Sequence, residues 1–439
     1  MGLLTFKGGI HPPHGKHLSE KKEIETYLPK GDLIFPMSQH IGAPCEPIVK
    51  KGDKVLVGQK IGAAKSYVSS NIYSSVSGFV KDVKPMLTTN GESILSVIVE
   101  NDKNYEEVPY TPHENFKELS SSELLEIIQE AGIVGLGGAC FPTHVKLNPP
   151  KECTIDTIII NCAECEPYLT CDHQLMLQYS IEITQGVEIL SHMFPDAKIF
   201  LGIENNKMDA LTIMKAIIEP LQNVEVSELK TKYPQGAEKH LIYSITKREV
   251  PESKLPANVG CIVQNVATVF AIREAVIAGK PLTERIITVT GGAVKTPKNL
   301  RVKFGTSLRE LVEYCGGFNE TPSKVISGGP MMGTALFTLD VPSVKGSSGL
   351  LCLTYGENVP IIESNCIRCG KCINACPMFL LPYKLNSSVI KGDYENFEKF
   401  GGLNCIECGA CSYSCPAKRN LTQSCKEGKK IVIANKKKN

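Results

Sequence analysis

Two runs of cysteine near the end of the chain constrain it more than any other feature. Cys366, Cys369, Cys372 and Cys376 precede Pro377, and Cys405, Cys408, Cys411 and Cys415 precede Pro416, so the pattern C-x2-C-x2-C-x3-C-P occurs twice. Thiolates two residues apart on a tight turn converge on three corners of one iron–sulfur cubane, while the fourth, carried off by three residues and a proline, usually ligates the other cluster. The spacing therefore predicts two [4Fe-4S] clusters. One takes Cys366, Cys369, Cys372 and Cys415, and the other takes Cys405, Cys408, Cys411 and Cys376. Gly370, Ala375, Gly409 and Ala410 leave room for backbone amides to approach the sulfides. Zinc knuckles carry two C-x2-C pairs set well apart, which is not this pattern. The stretch from Met378 to Asn404 is longer than a minimal two-cluster ferredoxin needs and holds an expected helix near Tyr394 to Phe400, so spacing alone does not fix the cross-ligation.

The remaining composition fits a reduced, non-exported protein. Eighteen cysteines in 439 residues point to thiolate ligation before disulfides. No run of roughly 18 apolar residues occurs, and the start carries no secretory pattern. With 48 basic against 46 acidic residues the formal charge is +2, which gives a nucleic acid no basic face to bind. The tail Lys436 to Lys438 reads as a solvated terminus.

Along the chain, Ile48 to Val83 alternates apolar and polar positions between turn signals and predicts short strands of a small β domain. The run KKGDKVLVGQKIG followed by SSVSGFV resembles the biotinyl/lipoyl hammerhead. Lys65, beside Tyr67, is the one lysine near the expected carrier position, and a structural role is expected. Ser120 and Glu123 form a capping box for a helix that stops at Gly132. Strands over Thr157 to Ile160, Lys198 to Ile203 and Val224 to Leu229 alternate with helices around Gln174 to Met193 and Met208 to Ile218, an α/β pattern. A β-grasp-like segment follows from Arg285, with a short helix at Leu308 to Cys315. The expected fold is thus multidomain α+β. It comprises an N-terminal β hammerhead over 1–112, a Rossmann-like flavin and nicotinamide domain over 113–282, a β-grasp domain over 283–350, and a helical two-cluster ferredoxin-like domain over 351–439.

Gly135, Gly137 and Gly138 let several amides face one concavity, and Lys146 adds a point charge, a combination suited to a phosphate or a flavin edge. The strand ending at Asn161 is followed by Glu164, Glu166 and Pro167, and ligands of α/β sheets sit beyond the carboxyl ends of strands. GLGGACFPTHVKL, NCAECEPYLTCD, YPQGAEKHL and VQNVAT, in this order, resemble the FMN- and NADH-binding segments of the flavin subunit of respiratory complex I. That resemblance implies non-covalent FMN held by Gly135, Gly137, Gly138, Lys146, Asn161, Glu164, Tyr233, Gly236, Gln264, Asn265 and Thr268. It places Phe141, Glu166 and Glu238 toward NAD(H). Leu136, Ala163 and Ala237 depart from the family, which has arginine, aspartate and glutamate there.

From FKGGIHPPHGKHLSE through GGPMMG to the quartets, the whole chain is similar to the C subunits of Rnf complexes, the membrane ferredoxin:NAD oxidoreductases. The resemblance implies an NAD(H):ferredoxin oxidoreductase subunit lying peripherally on the cytoplasmic side of the membrane. Its partners would be an iron–sulfur B subunit and ion-translocating membrane subunits, with ferredoxin reached indirectly. A microcompartment cobalamin reductase and a passive electron wire are the alternatives. Hydride exchange with a flavin requires no acid–base dyad, so no catalytic base is named. Cys162, Cys165 and Cys171 are not expected to form a third metal centre. Cys140, Cys261, Cys315, Cys352 and Cys425 read as small buried thiols, and His11 and His14 as surface or packing residues.

Overall fold

The isoleucine-rich run Thr157–Cys162 is buried along nearly its whole length and lies inside a parallel four-stranded sheet. A strand covered on both faces loses the alternation of a half-exposed one. Its neighbours are Lys198–Glu204, with Val224–Leu229 beyond it, on one side and Cys261–Asn265 on the other. Ile158 and Ile160 pack into a cluster with the helices Ser180–Met193 and Val266–Val276, while Ile159 packs with Leu241 and Ile242 of the helix Glu238–Thr246. The register sets Asn161 opposite Asn265 and Gly202, so the carboxyl ends of three strands come level at one edge.

These elements follow the sequence reading closely. The computed structural model describes residues 2–358 and 362–438. Ser120 caps the helix Ser121–Glu130 in a reciprocal box with Glu123, and Gly132 turns the chain with φ +68°. The expected single helix over Gln174 to Met193 is two helices, Cys171–Gln178 and Ser180–Met193, broken at Tyr179, whose ring meets Phe270 edge-on at 5.3 Å.

The N-terminal β region is two antiparallel sheets, one of four strands and one of three, closed over Leu33, Phe35, Val55, Ile61, Val97 and Val99. The following mixed sheet has six strands. Its edge strand Ile24–Tyr27 comes from the start of the chain and runs parallel to Lys298–Lys303, and Gly349–Leu353 lies inside it. Sheet membership thus cuts across the linear division of the sequence.

The two quartets repeat a backbone as well as a spacing. Arg368 and Glu407 take φ of 55° and 59°, and Gly370 and Gly409 take 75° and 81°, just ahead of the short helices Lys371–Ala375 and Ala410–Tyr413. The helices Pro382–Ile390, Tyr394–Lys399 and Leu421–Lys438 pack around Leu385, Phe397, Cys425 and Val432. Among the described residues no helix is long and apolar enough to cross a membrane.

Residues 4–10 join the parallel-sheet unit to the cysteine-quartet unit. Leu4 bridges Leu229 in parallel, Ile10 bridges Tyr233, and the Gly9 amide donates to the Ala375 carbonyl at 3.1 Å. Gly9 sits at φ +78°, where an added Cβ would come within 2.6 Å of the Tyr233 carbonyl oxygen. Gly9→Ala is therefore expected to destabilise the protein by about 1–3 kcal/mol, read as a lower denaturant midpoint with unchanged secondary structure.

Candidate flavin site and cluster cavities

The glycine loop is fixed at both ends. Gly135 N–H donates to the Phe141 carbonyl at 2.9 Å, and Leu136 N–H donates to Thr268 Oγ1, also at 2.9 Å. Thr268 lies in the first turn of Val266–Val276, the helix capped by Asn265 Oδ1. The loop is thereby held against the end of the strand Cys261–Asn265. Gly137 lies so close to Asn265 that a Cβ there would meet the asparagine side chain at 3.1 Å, whereas one on Gly138 would meet nothing within 4 Å. Gly138 faces open space, and its φ of +123° belongs to glycine.

Across the strand ends, Asn161 Nδ2 donates to the Gly236 carbonyl at 2.8 Å, and Asn265 Nδ2 donates to Asp172 Oδ2 at 2.7 Å. Glu164 has φ +44° and receives the Asp172 amide on Oε1 at 2.7 Å. Burial pushes the Asp172 carboxyl up to about 6, helped by the neighbouring Glu164 charge. Glu164, Cys171 and Asp172 place one ligand-type atom each within 4.8 Å of one another. These contacts bring Gly135, Gly137, Gly138, Asn161, Glu164, Gly236, Asn265 and Thr268 together at the carboxyl ends of the strands. Lys146 donates to Glu238 Oε1 at 2.6 Å and to the Val263 carbonyl at 2.8 Å. Two polar atoms there are buried without a hydrogen-bond partner, Gln264 Nε2 and Glu164 Oε2. Buried polar groups are normally paired; Glu164 Oε2 has the Lys16 ammonium 3.6 Å away, and a flavin ring, which offers acceptor atoms, suits the Gln264 donor.

Two of the expected residues face elsewhere. The buried Tyr233 hydroxyl donates to the carbonyl of Cys408 at 2.7 Å. Glu166 receives the amides of Met331 at 3.2 Å and Met332 at 2.9 Å, from the GGPMMG turn of the six-stranded sheet unit. Burial pushes the Glu166 carboxyl up to about 7, against the pull of those two amides. A residue absent from the sequence reading holds this whole loop. Lys16 is buried and donates to the carbonyls of Glu164 at 2.9 Å, Glu166 at 3.1 Å and Leu169, with Glu164 Oε2 at 3.6 Å. Nothing local in GKHLSE marks that ammonium as buried.

The cysteine quartets gather as two separate cavities. Cys376, Cys405, Cys408 and Cys411 line one, together with Cys425, Leu380, Leu385 and Thr422. Cys366, Cys369, Cys372 and Cys415 line the other, with Tyr383 and Arg419. Each cavity thus takes three thiols from one quartet and the fourth from the other. Burial pushes the Cys408 and Cys411 thiols up to about 12 and about 11, so thiolates there call for a cation to compensate them. Four convergent sulfurs in a cavity lined mostly by apolar side chains fit a cubane. The first cavity abuts the flavin unit: Tyr233 reaches Cys408, His240 Nε2 pairs with the Pro377 carbonyl at 3.0 Å, and Ile10, Cys165, Tyr233, Met331, Ala375, Cys408 and Ala410 form one apolar cluster. The second opens outward, with Cys366 and Cys369 exposed.

Comparison with known proteins follows the same order of units. Family models match as the RnfC barrel sandwich hybrid domain over residues 4–104, the Nuo51 FMN-binding domain over 128–274, the SLBB domain over 286–335 and a 4Fe-4S dicluster domain over 358–416. The C subunit of the proton-translocating ferredoxin:NAD(+) oxidoreductase complex of Clostridium ljungdahlii is 49% identical, covering 96% of this chain and 92% of its own. The chain belongs to this family of C subunits. The Na(+)-translocating counterpart of Acetobacterium woodii is 43% identical over 99% of this chain and 98% of its own, and the counterpart from the ion-translocating oxidoreductase complex of Rhodobacter capsulatus is 41% identical over 91% and 77%. A chain of a NAD+-reducing [NiFe]-hydrogenase in its air-oxidized state shares the fold. It is 20% identical with a TM-score of 0.50, over 74% of this chain and 64% of that one.

Two outcomes follow from these contacts. Lys16→Met strands three buried carbonyls and is expected to cost about 3 kcal/mol or more, with flavin content falling, as read by urea unfolding and bound-flavin absorbance. Glu166 holds its proton in the folded state up to about pH 7, against an ordinary value of 4.5. Its contribution to stability is complete below pH 4.5 and is lost as pH rises through 7. Glu166→Gln should flatten that part of the dependence in melting curves taken from pH 5 to pH 8.

Proposed function

We propose that the chain is the C subunit of an ion-translocating ferredoxin:NAD(+) oxidoreductase, exchanging hydride with NAD(H) at FMN and passing single electrons through two [4Fe-4S] clusters. The glycine loop, Asn161, Glu164, Gly236, Gln264, Asn265 and Thr268 hold the flavin, with Lys146 adding a point charge. Phe141 and Glu238, beside the loop, lie toward the nicotinamide nucleotide. A bound flavin supplies the exchange between paired and single electrons that nicotinamide and cubane chemistry cannot make directly. Cys376, Cys405, Cys408 and Cys411 ligate the inner cluster, and Cys366, Cys369, Cys372 and Cys415 the outer one.

One observation carries this order: the Tyr233 hydroxyl rests on the Cys408 carbonyl, so the flavin unit meets the inner cavity directly, while Cys366 and Cys369 are exposed on the outer one. The exposed cluster faces a one-electron partner, the iron–sulfur B subunit, and through it ferredoxin. Membrane subunits carry out ion translocation, and this chain sits against them from the cytoplasmic side.

Anaerobically reconstituted protein should hold about eight iron, eight sulfide and one FMN per chain, and NADH should bleach the flavin and reduce the clusters. Zinc in place of iron, or a chain that binds no flavin with both clusters intact, would overturn the reading. Tyr233→Phe removes one hydrogen bond worth about 1 kcal/mol. Stopped-flow absorbance should show flavin bleaching by NADH unchanged and the following cluster reduction several-fold slower.

A further inference from the structure

Five thiols line the inner cavity where a cubane takes four. The fifth is Cys425, 1% exposed, on the helix Leu421–Lys438. It has company on that helix. Thr422, Cys425 and Lys429 are three and four residues apart, which puts them on one stripe. All three meet the cysteines of this cavity. Thr422 Oγ1 lies 3.7 Å from Cys411 Sγ and 2.8 Å from Ser412 Oγ. Cys425 packs against Cys405, and both thiols line the same cavity. Lys429 Nζ donates to the Cys405 carbonyl at 2.9 Å and to Glu407 Oε1 at 2.7 Å. Backbone amides complete the set, with Glu407 N–H on Cys405 Sγ and Leu380 N–H on Cys376 Sγ, both at 3.4 Å.

A reduced cubane carries one more negative charge than an oxidised one, spread partly onto its ligand sulfurs. A donor aimed at a ligand sulfur therefore favours the reduced state and raises the reduction potential. Apolar side chains such as Pro377, Met378, Leu380, Pro382, Leu385 and Ile406 make up most of the rest of the lining, and the charge of Glu407 beside them is paired with Lys429, so little water competes with such donors.

We propose that Cys425 is a non-ligating fifth thiol of the inner cluster, which with Thr422 forms a donor stripe that raises the potential of that cluster alone. Both are positioning residues: they act through Cys405 and Cys411. Lys429 anchors the stripe by clamping the Cys405 carbonyl. The inference rests on the ligand reading above and deepens it.

The test is a potentiometric titration of the anaerobic full-length protein, with mediators and dithionite and without NADH, followed by EPR and by iron and sulfide counts. Cys425→Ala is expected to move one of the two midpoints to lower potential, leave the other in place and keep the full iron content. Cys425→Ser, which restores a hydroxyl donor, is expected to recover most of the shift. Thr422→Val is expected to move the same midpoint in the same direction, and stands as the second variant should Cys425→Ala fail to fold. Two unmoved midpoints at full iron content would overturn the proposal. So would loss of half the iron in Cys425→Ala, which would make Cys425 a ligand. An unaltered chain holding a single cluster would remove the ligand reading and this inference together, and its iron count tells that failure apart from the other two.

Discussion

The flavin site is assembled from loops, and the constraint on which it depends is the pairing of their buried carbonyls with buried cations. A sheet satisfies its carbonyls by laddering; the segment from Glu164 to Leu169 has no ladder, and Lys16 supplies the missing donors. The same device recurs where units meet. Lys345 donates to Ser70 Oγ, the Asn71 carbonyl and the Gly132 carbonyl, tying the six-stranded unit to the N-terminal sheets and to the end of the first flavin-unit helix. Arg285 donates to the Leu136 and Lys345 carbonyls, and Lys207 to the Ala163 carbonyl beside Glu204. Taking an ammonium out of water is costly, and burial brings Lys345 down to about 8 and Lys207 below its ordinary value. The arrangement holds because each charge is met by several oxygens, and removing one cation leaves them all stranded.

Much of the fold was legible because its signals are local. The strand Val224–Leu229 and the helix Met208–Ile218 lie where their periodicity puts them, and the capping box at Ser120 is formed. The quartets are legible because thiolate spacing is a chemical requirement rather than a statistical one. The contribution of the first 27 residues was not. Leu4, Ile10 and Ile24–Tyr27 pair with residues more than 200 positions away, and no short-range pattern encodes such a partner. Tyr233 and Glu166 lie in motifs shared with flavin proteins, but the directions of their side chains are set by the dicluster and six-stranded units packed against them. Cys425 looked like an ordinary core thiol because its neighbour in space, Cys405, is twenty positions back in the chain.

The repeated quartet also shows how one sequence pattern acquires two environments. Both copies share the glycine in left-handed conformation and the short helix after it. One copy is then covered by the helix Leu421–Lys438 and the flavin unit, while the other keeps two exposed thiols. Burial and hydrogen bonding set cluster potentials, so the duplication yields two electron carriers with different properties from nearly the same local chain.

The crossing of residues 4–10 between the flavin unit and the dicluster unit bears on how the protein is made. The segment's resting places at Leu229, Tyr233 and Ala375 are synthesised hundreds of residues after it. Contacts so distant in sequence close slowly and late. Leu229 and Tyr233 are synthesised before Ala375, so the segment's partners on the parallel-sheet unit exist before the thiol-bearing unit whose seam it also covers.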